Sequence, residues 1–185
     1  MMANSIPGRL HHTAYVAKDL EATRHFYEDI LGIPLVATWC EKEELFGSER
    51  TYCHCFFGLK DGSALAFFQF ADPADQEEFG PALASSPFRH IALNVDAETQ
   101  AQLERRIADA GLDAPKTYIL EHGYCRSVYV TDPDGMIVEF TLDAAHADQI
   151  NALRASDAHS ELKRWLAGDH RPNNDVRPDH LAAAG

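Results

Sequence analysis

Long apolar runs are missing from this chain. Nowhere do the roughly 18 consecutive apolar residues of a membrane helix occur, and Met1 to Arg9 has no apolar core of signal-peptide length. Cysteine is scarce too: Cys40, Cys53, Cys55 and Cys125 show no CxxC spacing, which excludes a disulfide scaffold and a structural zinc site and leaves reduced packing residues. Cys53-His54-Cys55 resembles a metal cluster, but in a strand its two thiols share one face while His54 points away. Basic residues are few, 16 against 29 acidic ones, so the net charge is -13 and a phosphate backbone or anionic membrane surface is repelled. The expectation is a cytoplasmic protein with a small-molecule substrate and no nucleic-acid or membrane partner.

What is present suffices for a core. The chain has 185 residues, 45% of them hydrophobic and 24% charged, the proportions of an ordinary globular domain. It also repeats itself. His12-Thr-Ala-Tyr-Val-Ala17 and His90-Ile-Ala-Leu-Asn-Val95 are short apolar runs that begin with histidine and reach an acidic residue, Asp19 or Asp96, before a helical pattern. After Asp19, the residues Leu20, Phe26, Tyr27, Ile30 and Leu31 recur at near-helical spacing and Gly32 ends the run. After Asp96, Leu103 and Ile107 with Ala101, Ala108 and Ala110 make a weaker stripe closed by Gly111, in a second helix matched in length to the first.

Strands are expected next at Leu35 to Cys40, Thr51 to Leu59 and Ser63 to Phe70, and again at Thr117 to Leu120, Cys125 to Thr131 and Met136 to Leu142. Glycine turns, Lys60-Asp61-Gly62 and Asp132-Pro133-Asp134-Gly135, join the last two strands of each copy. The fold class is therefore α+β: two tandem βαβββ modules, about 10–71 and 88–142, forming one cupped mixed-sheet domain over 1–142. A C-terminal helix and irregular tail occupy 143–185. Ile150, Leu153, Leu162, Trp165 and Leu166 form an expected buried stripe on that helix, which ends at Gly168; packing of the segment across a homodimer is expected.

Aligning Gly62 with Gly135 sets Glu139 opposite Ala66, and pseudo-twofold symmetry brings His12, His90, Ala66 and Glu139 to one concave face. Two imidazoles and a carboxylate on a rigid sheet leave positions free on a divalent metal for substrate or dioxygen. Met136-Ile-Val-Glu-Phe-Thr-Leu142 is otherwise apolar, so Glu139 needs a partner; a metal is one, and an ion pair with Arg89 or Arg126, or exposure to solvent, is the other reading. His11 competes with His12, and alternation lets only one face the cup. The repeat selects His12, although His12 lies seven positions ahead of Asp19 and His90 six ahead of Asp96.

These segments, His12-Thr-Ala-Tyr-Val-Ala-Lys-Asp-Leu20, Phe26-Tyr27, Leu31-Gly32, His90-Ile-Ala-Leu93 and Asp132-Pro-Asp-Gly-Met-Ile-Val-Glu139, resemble the vicinal oxygen chelate superfamily over roughly Leu10 to Leu142. The superfamily groups glyoxalase I, extradiol dioxygenases, fosfomycin-resistance transferases, epimerases and metal-free bleomycin-binding proteins. The resemblance implies metal ligands at His12, His90 and Glu139. Glyoxalase I would place a fourth ligand where this chain has Ala66, and fosfomycin-type enzymes a threonine where it has Ala14. Extradiol dioxygenases, and fosfomycin-type enzymes equally, carry a tyrosine ten residues before the glutamate, which is Tyr129; His122 resembles the second-sphere histidine of ring-cleaving enzymes, although it stands closer to the tyrosine than theirs. The resemblance thus implies an extradiol-type dioxygenase of a catecholic or phenolic substrate, with Fe(II) favoured over Mn, Zn, Ni or Co and with Tyr129 and His122 catalytic. Phe67, Phe68, Phe70 and Tyr124 are an apolar wall on one reading and plain strand core on the other. A Lewis-acid lyase, isomerase or transferase is the alternative, and a ligand-sequestering protein the third reading.

Overall fold

The computed structural model describes residues 7–82, 84 and 86–173. They form two compact units. The first runs to Arg89 and takes in Thr131–Met136; the second comprises His90–Val130 and the chain from Ile137 onward.

In the first unit β1 (His12–Val16) leads into α1 (Leu20–Arg24), which continues as a π-helical segment, His25–Ile30. Asp19 starts the helix, its Oδ1 accepting the backbone N–H groups of Glu21 and Ala22 at 2.9 and 3.1 Å. The Leu31 N–H reaches back five residues to the Phe26 carbonyl, and Gly32, at φ 76°, ends the run. Then come β2 (Leu35–Leu45), β3 (Ser48–Gly58), β4 (Ala64–Phe70) and α2 (Pro73–Phe79). The sheet order is β1-β4-β3-β2, with β1 parallel to β4. Tyr27, Phe57 and Phe67 pack ring on ring at the buried face, with Leu65 beside them. On the other face lie His12, Ala14 and Val16 of β1 with His54 and Phe56 of β3 and Phe68 of β4.

Two features escape the hydrophobic pattern. β2 runs past Cys40 to Leu45 because Glu41, Lys42 and Glu43 pair with Tyr52, Thr51 and Arg50, polar residues that carry no apolar alternation. α2, capped by the Asp72 carboxylate with Pro73 in its first turn, buries no residue and so leaves no stripe to read.

The second unit repeats the plan with β5 (His90–Asn94), α3 (Ala97–Asp109), β6 (Thr117–Glu121), β7 (Cys125–Thr131) and β8 (Ile137–Asp143), in the order β5-β8-β7-β6 with β5 parallel to β8. Ala14 pairs with Ala66 and Ala92 with Glu139, so the glycine alignment of the two copies holds strand by strand. The fold is thus α+β with two βαβββ modules, as expected. The α3 stripe differs: Gln100, Leu103 and Ile107 are its buried residues, while Ala101, Ala108 and Ala110 are exposed. Gln100 is tolerated inside because its amide donates to the Arg126 and Phe140 carbonyls, both at 2.9 Å.

α4 (Ala147–Leu166) forms where a helix is expected, but the expected stripe is not buried, with Ile150 only half-buried. Leu153, Leu162, Trp165 and Leu166 are all exposed, and Ala147 alone of its residues is buried, among those described. Ion pairs hold the helix along its own surface, Arg154 with Asp157 and Arg164 with Glu161, both at 2.7 Å. Of the expected irregular tail, residues 174–185 lie outside the described residues. No helix among the described residues is long and apolar enough to cross a membrane.

Candidate metal centre

In the second unit the strand register brings four of the five expected site residues together. His90 opens β5, and Glu139 stands at the middle of β8, whose neighbours Val138 and Phe140 point to the core under α3. His90 Nε2 lies 2.9 Å from Glu139 Oε2. Glu139 Oε1 accepts two hydroxyl protons, from Tyr129 and from Thr141, each at 2.9 Å. Tyr129 spends its one proton there, so His122 Nε2, 3.0 Å from the same hydroxyl, is the donor to it.

The electrostatics follow from this wiring. Glu139 is only 6% exposed, and burial pushes its carboxyl up, but hydrogen bonds from Ser127, Tyr129 and Thr141 and the charge of His90 hold it below the ordinary glutamate value. It is therefore a carboxylate. Tyr129 moves the other way: burial, then the hydrogen bond to Glu139 and its charge, raise the phenol well above its usual range, so it is a neutral donor. Tyr118 stacks on Tyr129 with ring centroids 4.7 Å apart and fixes the ring. Arg126, one of the two arginines considered as ion partners of Glu139, engages Glu104 at 2.5 Å and Glu121 at 3.2 Å instead.

His12 belongs to the first unit, at the start of β1. Its Nδ1 lies 2.7 Å from His11 Nδ1, so one of these nitrogens is protonated and the other accepts; Nε2 of His12 is left to face outward from that pair. Both histidines line a cavity of about 310 Å³ with Trp39, Phe56, Ser63 and Ala64. His54 does point away from the thiols, as alternation requires: Cys53 and Cys55 sulfurs lie 3.9 Å apart, while the His54 ring stacks on Phe68 at 3.6 Å. Ala66 is fully buried, and Phe67 belongs to the core rather than to a substrate wall alone. Among the described residues, no three His, Cys, Asp or Glu side chains gather closely enough to hold a metal ion.

The second-unit pair fits a metal nonetheless. Two ligands about 2.1 Å from one ion and at right angles stand about 3 Å apart, which is the His90–Glu139 separation. A nitrogen and an ionised oxygen suit a borderline divalent ion, and the Tyr129 and Thr141 hydroxyls give the carboxylate the outer support that metal ligands require. Thr141, Ser127 and Tyr118 were not singled out from the sequence. Period-two alternation from Glu139 and Tyr129, and the β6–β7 pairing of Tyr118 with Tyr129, carry that signal.

Known proteins share this plan. Residues 9–140 match the Glyoxalase/Bleomycin resistance protein/Dioxygenase superfamily. A lactoylglutathione lyase from Haemophilus influenzae is 30% identical over 131 residues, 70% of this chain and 88% of that protein. A metallothiol transferase, FosB, from Bacillus licheniformis is 29% identical, over 73% of this chain and 75% of that one. Among solved structures, the fosfomycin resistance protein FosX from Listeria monocytogenes, complexed with Mn(II) and sulfate, superposes with a TM-score of 0.53 at 19% identity, covering 78% of this chain and 99% of that one. The chain belongs to the Glyoxalase/Bleomycin resistance protein/Dioxygenase superfamily, the vicinal oxygen chelate fold.

Proposed function

We propose that this protein is a metal-dependent enzyme acting on a small oxygen-bearing substrate in a lyase, isomerase or transferase reaction that consumes no dioxygen. The observation that carries the reading is the His90–Glu139 pair, 2.9 Å apart on one sheet face with the carboxylate held ionised by three hydroxyl groups. His90 and Glu139 are the proposed ligands of a divalent ion, and His12 is the further ligand that the family resemblance implies. Such an ion, when bound, supplies Lewis acidity toward a substrate oxygen.

The chain's own residues do the rest. Tyr129 keeps Glu139 charged and aimed, and His122 holds the phenol from behind, so the His122–Tyr129–Glu139 line is a fixed hydrogen-bond relay. On the solvent side His122 is the group of this line suited to carry a proton to or from substrate. The relatives named above are a lyase and a transferase, which supports this reading over the extradiol dioxygenase expected from motif resemblance. Ala66, where glyoxalase I would place a ligand, keeps the proposed set at three.

Metal analysis of anaerobically purified protein beside His90→Ala and Glu139→Ala tests it. Metal in the wild type, loss in both variants, and anaerobic turnover of a thiol–2-oxoaldehyde hemithioacetal or of a thiol with an epoxide are expected. Oxygen uptake with a catechol would restore the dioxygenase, and a metal-free wild type would end the metal reading.

A further inference from the structure

Three of the four cysteines converge on one face of the β2–β3 hairpin, although they are spread along the chain. Cys40 Sγ lies 4.0 Å from Cys53 Sγ, which lies 3.9 Å from Cys55 Sγ. All three are free thiols; Cys40 is exposed, Cys53 half-buried and Cys55 buried. Trp39 and His54, the chain neighbours of Cys40 and Cys53 and each other's partners across the hairpin, take the opposite face, the one that carries His12. The thiols thus stand behind the sheet, apart from the proposed metal ligands.

The strand register decides which two can bond. Phe46 and Gly47, both at positive φ (54° and 82°), make a two-residue turn, so the flanking Leu45 and Ser48 are a hydrogen-bonded pair and the pairs alternate back from it. Cys40 and Cys53, five pairs on, are a non-hydrogen-bonded pair. At such a pair the Cα atoms stand about 4.5 Å apart and the side chains approach most closely, within the range of about 4.4 to 6.8 Å that a disulfide spans. Cys53 and Cys55 are two residues apart on one strand, so their Cβ atoms stand about 6.7 Å apart, well beyond the roughly 4 Å that a disulfide allows.

We propose that Cys40 and Cys53 are an oxidisable pair that a peroxide closes to a disulfide within one chain, Cys40 being the sulfur oxidised first and Cys53 the one that resolves it. The Cys40 thiolate, open to water, attacks one oxygen of hydrogen peroxide; its electron pair breaks the O–O bond, leaving the sulfenic acid and a hydroxide that takes up the thiol's proton as water. The Cys53 sulfur then displaces the hydroxyl from the Cys40 sulfur. The S–S bond forms and the Cys53 proton leaves with that hydroxyl as a second water. Two thiols lose two electrons and two protons, and one peroxide becomes two waters. Burial and the neighbouring Cys55 and Cys40 push the Cys53 thiol up to about 12, which keeps it protonated and leaves the first step to the exposed Cys40.

Peptide mapping of the reduced full-length protein, treated with one equivalent of hydrogen peroxide, alkylated and digested without reductant, tests the proposal. Cleavage after Lys42 and Arg50 puts Cys40 and Cys53 on separate peptides. In the wild type two of the four thiols escape alkylation, a Cys40–Cys53 linked peptide forms in chains that stay unlinked to one another, and dithiothreitol restores all four. Cys55→Ser closes the same link. Cys53→Ser stops at the Cys40 sulfenic acid, which dimedone traps, and Cys40→Ser keeps its remaining thiols at that dose. A Cys53–Cys55 link, a link formed only between chains, or four free thiols after peroxide each overturns the proposal in the wild type alone, whether or not the variants fold. Thiol loss in Cys40→Ser as fast as in the wild type overturns it too, since Cys40 is then not the sulfur oxidised first.

Discussion

Tyr129 donates its hydroxyl proton to Glu139 Oε1 at 2.9 Å, and burial with the adjacent carboxylate raises the phenol far enough that this proton never leaves at physiological pH. The tyrosine is therefore a support for the carboxylate and not a base. Tyr129→Phe removes one of the hydroxyl groups holding Glu139 ionised. Metal affinity, read by chelator competition, is expected to fall about tenfold to a hundredfold, as for other outer-shell losses. His122→Ala acts one bond further out: it should leave metal affinity within about threefold of wild type while lowering turnover. Equal metal loss in both variants would make His122 part of the metal's support and remove its separate role.

Asp132 gives the fold a pH dependence of unusual sign. It is 5% exposed, accepts the Tyr27 hydroxyl at 3.1 Å and the Asp134 and Met136 backbone N–H groups at 2.9 and 2.8 Å, yet burial outweighs these bonds and lifts its carboxyl to about 6. A folded-state value above the unfolded one means that this group's contribution is fully present below about pH 4 and is lost as pH rises through about 6. The loss is on the order of 3 kcal/mol. Asp132→Asn keeps the oxygen that accepts both backbone groups and removes the charge. Its thermal midpoint should exceed that of the wild type above pH 6, with the gap closing toward pH 4; a pH-independent gap would assign the difference to packing.

The sheet and the histidine–glutamate pair are legible in the sequence because alternation and the glycine turns are local signals. Ala14 with Ala66 and Ala92 with Glu139 fall where the repeat puts them. α2 leaves no trace because it buries nothing, and the polar arms of the β2–β3 hairpin leave none because Glu41 to Glu43 are set by cross-strand partners rather than by a core. On α3 the alanines mislead: small residues count as apolar in a stripe, but burial follows the longer Gln100, Leu103 and Ile107. Reaction type is the least legible, since Tyr129 serves dioxygenases and transferases alike.

Arg50 ties α2 to the hairpin. Its guanidinium is buried, pairs with Asp75, donates to the Leu45 carbonyl at 3.1 Å and lies 4.6 Å over the Phe79 ring. Removing it strands a partly buried Asp75, and breaking such a pair costs about 3 kcal/mol or more. Arg50→Met is expected to lower urea stability by that order. Asp75→Asn in the same background should then cost nothing further, because the stranded charge is gone; a full second loss would show that the two residues act independently.

α4 exposes more apolar surface than a helix held in one chain needs. Leu162 is 56%, Trp165 54% and Leu166 75% exposed, three large side chains within one and a half turns at its C-terminal end. The proposed cover is a second copy of this chain. Burying a large apolar side chain contributes about 2 kcal/mol, and in a symmetric pair every substitution counts twice. Leu162→Glu with Trp165→Glu should therefore turn a dimer into a monomer at micromolar concentration, read by sedimentation equilibrium, while circular dichroism stays that of the wild type. A wild type that sediments as a monomer would leave this end of α4 without a partner of its own kind, and a variant that remains a dimer would move the interface to another surface.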